Sequence, residues 1–307
     1  MAKWLAIGNV VLTLVLTFLV VKWRSESNQA EQTRAREAVS TVALALAQGV
    51  HSDLVRVDGV LKSSVAAFER APQRGLVDGS ALAVELPDLR AGLLDADALL
   101  VCDADGNVRM GIAKDAPPVN LADRDFFIAA RSSGPSDLPV VSGPWVGRVS
   151  GKWGVSIARP LRSPNGQFAG TVHATLGSEY FARRLASVPL GQDGIVALRS
   201  ADLSLIARVT TEGLSNEGLG SANVSAALKA AVAARPMGGD LVSRSPRDGV
   251  ERAVAYQRVP GFPLYVIVGQ GTADLIADGA DTPRASRAGA VSRLAAAETP
   301  TSTPIQP

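Results

Sequence analysis

Residues 121–127 read LADRDFF and residues 142–153 read SGPWVGRVSGKW, and the fold turns on how these two stretches are read. The first overlaps 122–131, ADRDFFIAAR, which predicts a short helix with Asp123 near its start. The second runs from 138–149, the first of three segments with strand character, into the next, 152–161; the third is 167–176. Pro164-Asn165-Gly166 supplies the turn between the last two, because proline presets one turn angle and glycine accepts the left-handed one. A further helix is expected over 178–186.

Upstream, 98–102 is a short apolar run, Asp103-Ala-Asp-Gly-Asn107 breaks it, and 108–112 resumes it, which is a hairpin signal. The D-x-D-G start resembles a calcium loop, but an EF-hand needs its glycine two residues later and a glutamate at position twelve. Before the hairpin, 25–70 contains no proline. Val39, Val42, Leu46, Val50, Leu54, Val57, Leu61, Val65 and Phe68 recur at steps of three and four, the stripe of one long helix that Pro72 and Gly75 should end. Such a stripe lays one face on a sheet, and its lower part can also form a homodimer seam, although Gly49 and Gly59 argue against an uninterrupted coiled coil. His51, within this helix, reads as solvated or packed.

The segment 4–21, WLAIGNVVLTLVLTFLVV, carries no charge and only three polar side chains, Asn9, Thr13 and Thr17. At 1.5 Å per residue it is about long enough to cross the hydrocarbon core, with Trp4 and Trp23 as interfacial anchors. A cleaved signal peptide is the competing reading; Asn28-Gln29-Ala30 is a poor cleavage site. Lys22 and Arg24 outnumber Lys3, which by the positive-inside rule favours a cytoplasmic C-terminal side.

Downstream the outline repeats. Strands are expected at 194–198, 205–209, 239–245, 251–258 and 263–270, with an alanine-rich helix at 223–235. The strand at Ile195 follows that at Leu99, and Leu264 follows Phe168, by 96 residues each, a repeat of architecture. Antiparallel sheets with helices on one side make two α+β units: 71–188 and 189–277. Residues 278–307 are rich in Ala, Thr, Ser, Pro and Gly and are expected to be disordered. The 307 residues are 47% apolar with a net charge of +2, which excludes a disordered chain and gives no nucleic-acid footprint. A single cysteine, Cys102, excludes an intrachain disulfide and a cysteine zinc site; with His51 and His173 the only histidines, no metal or cofactor is expected.

A membrane helix, a long helix and two PAS-like units resemble the double-Cache sensor module found outside the membrane in bacterial diguanylate cyclases, histidine kinases and chemoreceptors. The likeness covers about 4–277: LADRDFF and SGPWVGRVSGKW, then GQFAGTV at 166–172, EYF at 179–181, DGVER at 248–252 and YQRVPGFPL at 256–264. It implies a bacterial inner-membrane protein with its bulk in the periplasm, against the flanking charges. It also implies a small-molecule site in the membrane-distal unit, 71–188, on the sheet under the D-R-x-F-F helix. Arg124 is the leading candidate, since a guanidinium fork suits a carboxylate. Phe126 and Phe127 would wall the pocket, with Asp123, Trp145, Arg148, Trp153 and His173 as further candidates. Without a ligand, Arg124 and Asp123 would be a structural ion pair and helix cap, and Phe127 and Trp153 ordinary core.

Amino-acid-sensing members place an aspartate for the ligand's ammonium where this chain has Thr175, so the resemblance points to an organic anion instead. The likeness stops near Ala277, and no G-G-D-E-F, E-A-L or phosphoacceptor motif follows; a sensor without its own output domain is expected. An adaptor pairing with another receptor through the long helix is the alternative. A periplasmic enzyme is disfavoured, because the chain has no G-x-S-x-G, H-E-x-x-H or G-x-x-x-x-G-K-[ST] and no expected catalytic residue.

Overall fold

The computed structural model describes residues 2–70, 80–93, 96–113, 115–134, 138–189 and 191–272, with backbone alone for 2–32, 34, 35, 80 and 81. The expected stop at Pro72 and Gly75 and the expected disordered tail at 278–307 lie outside these residues. The chain divides into two compact units, Met1–Ala35 with Thr272–Pro307, and Arg36–Gly271.

One helix, α1 (Ala2–Arg70), covers both the 4–21 segment and the 25–70 stripe without a break. Its part Arg36–Arg70 is itself long enough to cross a membrane and holds an 18-residue stretch apolar enough to do so, at a mean hydropathy of 1.2. Packing decides otherwise for that part. Val39, Leu46, Val50, Leu54, Val57 and Leu61 are buried in one core with residues from both sheets, so this is a core helix.

The first sheet is antiparallel: β1 (Ala98–Asp103), β2 (Val108–Met110), β3 (Val140–Val141), β4 (Trp145–Val146), β5 (Trp153–Arg162) and β6 (Phe168–Gly177), in the order β2-β1-β6-β5-β3 with β4 also on β5. The second holds β7 (Ile195–Ser200), β8 (Leu205–Thr210), β9 (Gly213–Leu214), β10 (Gly238–Arg244), β11 (Glu251–Arg258) and β12 (Leu264–Gly271), in the order β10-β11-β12-β7-β8-β9. In each, the first and last long strands pair at the centre (β1 with β6, β7 with β12), so the two α+β units share one topology. Each sheet turns one face to the shared α1 core. The opposite faces carry separate small cores, one under α3 (Asp125–Ser132) and one under α5 (Ala226–Ala234). Between the sheets, α4 (Ser178–Leu185) buries Phe181, Ala182 and Leu185 in the same α1 core.

Two elements depart from expectation. Residues 138–149 form two dipeptide strands, because Pro144 has no N–H to donate and the Ser142 hydroxyl accepts from the Ser156 amide at 2.8 Å. A helix not expected from the sequence, α2 (Ser80–Ala91), forms with Pro87 inside it. Leu82 and Leu86 are buried against the α1 core, so tertiary packing overrides the proline.

Candidate functional site

Strand parity decides which side chains reach the face under α3. Register pairs Ala98, Leu100 and Cys102 of β1 with Thr175, His173 and Thr171 of β6, and Ser156 and Ala158 of β5 with Thr175 and His173. These point one way; Leu99, Val101, Val155, Ile157, Val172 and Ala174 point to α1. The α3 face is therefore the more polar one. Ser156 and Thr175 are buried with hydroxyls 3.1 Å apart, and Thr171 and His173 are fully buried.

α3 delivers Phe126 onto this face. Its ring lies 4.6 Å from the His173 imidazole and 5.8 Å from the Trp145 indole, centroid to centroid. Arg124, at the N-cap of α3, stacks its guanidinium 4.3 Å over the Trp145 ring. Its Nη2 donates to the Val146 carbonyl at 3.3 Å. The Arg124 Nε, the Trp145 Nε1 and both ring nitrogens of His173 are buried without a hydrogen-bond partner. Among the described residues no carboxylate stands within ion-pair distance of Arg124, and burial followed by the Arg148 charge lowers its pKa below the ordinary 12.5. Burial also pushes the His173 pKa from 6.5 down to about 3, so the ring is neutral. Cys102 on the same face is a buried free thiol whose pKa burial pushes up to about 12.

The structure thus brings Arg124, Phe126, Trp145 and His173 together. Of the other four, Phe127 lies in the same small core under α3, and Asp123, Arg148 and Trp153 do not join the set. Asp123 and Arg148 form an exposed bidentate pair, at 2.7 Å for both contacts, and the hydrogen bond from Arg148 holds the Asp123 carboxyl below its usual range. The expected pairing of Asp123 with Arg124 is therefore absent, and Asp123 caps no helix. Asp125 does the local work instead, accepting from the Phe126 amide at 2.8 Å and the Gly143 amide at 3.0 Å. Phe127 is buried beside Phe168, at 5.5 Å, under the Arg131 guanidinium. Trp153 has the parity of Val155 and Ile157, and its ring packs against Gly220 of the second sheet's loops. The hydroxyl set Ser156, Thr171 and Thr175 becomes visible only once the register is known; of these the sequence points to Thr175 alone.

Residues 178–269, α4 with most of the second α+β unit, match a family described as dCache_1_like, histidine kinase sensor domain. Among solved structures, the extracellular domain of a protein assigned as the histidine kinase rpHK1S-Z16 is 26% identical with a TM-score of 0.68, covering 78% of this chain and 95% of its own. The ligand-binding domain of the Pseudomonas fluorescens chemoreceptor CtaA, solved with L-isoleucine, is 17% identical with a TM-score of 0.60, covering 82% and 98%. That of the Campylobacter jejuni chemoreceptor Tlp3, solved with L-norvaline, is 12% identical with a TM-score of 0.57, covering 84% and 96%. These two share the fold alone. No curated protein matches the chain. The relatives named are a kinase and chemoreceptors; the likeness to diguanylate cyclases rests on the DGVER and YQRVPGFPL motifs only.

Proposed function

We propose that this chain, which carries the fold of the tandem Cache sensors, is a membrane-anchored periplasmic sensor module that takes a small organic anion under α3. One observation carries the reading: an arginine without a carboxylate partner among the described residues, beside three further buried ring nitrogens that have no partner. A carboxylate placed among them would accept from Arg124 and from the Trp145 N–H, and its charge would complement both the guanidinium and the N-terminal end of α3. Phe126 would close the apolar side.

The chemoreceptor domains named above were solved with amino acids, which share the carboxylate but add an ammonium. Here Asp123 is engaged by Arg148, Asp125 by two amides, and Thr175 offers a hydroxyl already bonded to Ser156. That favours a plain carboxylate over an amino acid. The uncharged run 4–21 supports the anchor. Leu44 and Val55, 48% exposed on α1, support a homodimer through that helix.

Thermal unfolding of the full chain in detergent, screened against mono- and dicarboxylates and against amino acids, tests the reading. Carboxylates should raise the Tm, and Arg124→Ala should weaken the effective ligand about ten-fold or more, the loss of one charge-assisted hydrogen-bond set. Equal binding by Arg124→Ala would remove the proposed anchor.

A further inference from the structure

The second sheet carries a concentration of positive charge that neither the fold nor the site under α3 uses. Arg199 on β7, Arg208 on β8 and Arg252 on β11 all project from the face turned away from α1, the parity of Tyr265 and Ile267. They are 8%, 8% and 4% exposed. Arg247, from the β10–β11 hairpin, lays its guanidinium against Gly218 and acts electrostatically on both Arg199 and Arg208.

Their carboxylate partners are too few. Arg252 takes Asp248 in a fork at 2.9 and 3.0 Å and gives its Nε to the Asp193 carbonyl at 2.6 Å. Arg208 reaches the same Asp248 at 3.4 Å, and its Nε is buried with no partner. Arg247 pairs at 2.8 Å with Glu217, whose side chain is 77% exposed. Arg199 donates only to carbonyls, Leu203 at 2.6 Å and Ser221 at 3.1 Å; among the described residues no carboxylate lies within ion-pair distance of it. Burial, with Arg247 and Arg208 nearby, brings the Arg199 pKa down to about 10, so it stays charged at neutral pH. Burial alone would raise the Asp248 carboxyl, but the Arg252 fork and the Val250 amide outweigh it and hold it well below the usual range. Four guanidinium groups thus face two carboxylates, one of them in solvent. An uncompensated buried charge is costly, and a counter-charge that also reaches the unpartnered Arg208 Nε removes that cost.

We propose that this arginine group is a second ligand site, for a small dianionic oxyanion of the phosphate or sulfate class, seated between Arg199, Arg208 and Arg247. Planar guanidinium forks match the oxygen edges of such an ion, and two negative charges balance the excess. The site stands on the second sheet and is independent of the reading of Arg124.

The test is thermal unfolding of the full chain in detergent with sodium phosphate, sodium sulfate or sodium chloride at matched ionic strength. Phosphate and sulfate should raise the Tm by about 3 °C or more over chloride. Arg199→Met keeps the volume and deletes the uncompensated charge; it should raise the Tm in chloride and abolish the dianion effect. Arg247→Ala, at the less buried position, should weaken the dianions about ten-fold even if Arg199→Met does not fold, and Arg124→Ala should leave their effect intact. No advantage over chloride, or an advantage retained in Arg247→Ala, overturns the proposal; so does one lost in Arg124→Ala.

Discussion

Burial holds the His173 imidazole neutral, and neutrality has a consequence for stability. The unfolded chain takes up a proton below pH 6.5, whereas the folded chain resists it down to about pH 3. The contribution of this residue is therefore complete above pH 6.5 and is lost progressively as the pH falls toward 3, at about 1.4 kcal/mol per pH unit. Between pH 6.5 and 5 the wild type should lose about 2 kcal/mol more than His173→Leu, read by urea denaturation at the two values; parallel curves would mean that protons reach the ring. In the sequence, Arg124, Phe126, Trp145 and His173 are readable as a set, because their motifs fall on one short helix and the strands beneath it. Arg148 and Trp153 carry equally suggestive side chains, but exposure and strand parity send them elsewhere, and neither property is visible before the register is fixed. The arginines of the second sheet escape notice for the same reason: a lone arginine in a strand reads as a solvated charge until its neighbours are placed beside it.

The join between α1 and β5 is a buried ion pair. Arg159 donates to Asp58 at 2.6 and 2.9 Å, with the two residues 8% and 7% exposed. The desolvation of such a pair is repaid only while both partners are present. Asp58→Leu should cost about 3–5 kcal/mol by leaving the guanidinium's charge buried without its carboxylate. Adding Arg159→Met should recover most of that, and chemical denaturation of the two singles and the double measures the coupling. An additive double variant would mean the pair does not hold the helix to the strand. The stripe from Val39 to Phe68 made α1 legible because its period is long and regular. The helix α2 was not, since a proline sits inside it and the leucines that hold it, Leu82 and Leu86, are too few to set a period. The strand expected over 138–149 broke at Pro144 for a local reason that the sequence already contained.

The two sheets share a strand order, which is the expected repeat of architecture. Strand for strand, β1 corresponds to β7, β6 to β12 and β5 to β11. The repeats touch through Trp153: a Cβ on Gly220, whose φ is +78, would stand 2.5 Å from its ring. Gly220→Ala should therefore cost more than the roughly 1 kcal/mol of a left-handed backbone, whereas Gly261→Ala, at φ +72 in open space, should cost only that. Equal Tm losses in the two variants would show the indole free to move aside.

α1 is also gripped at a second place. The His51 Nδ1 donates to the Pro260 carbonyl at 2.9 Å, and its ring packs on Phe262 at 6.0 Å, so the second sheet's final turn holds the helix two turns before Asp58 does so for the first. Those two grips are only about 10 Å apart at 1.5 Å per residue. A rod clamped twice over so short a length has no slack to bow between its fastenings. A displacement of the helix at either fastening is therefore felt within about two helical turns by the sheet that holds the other.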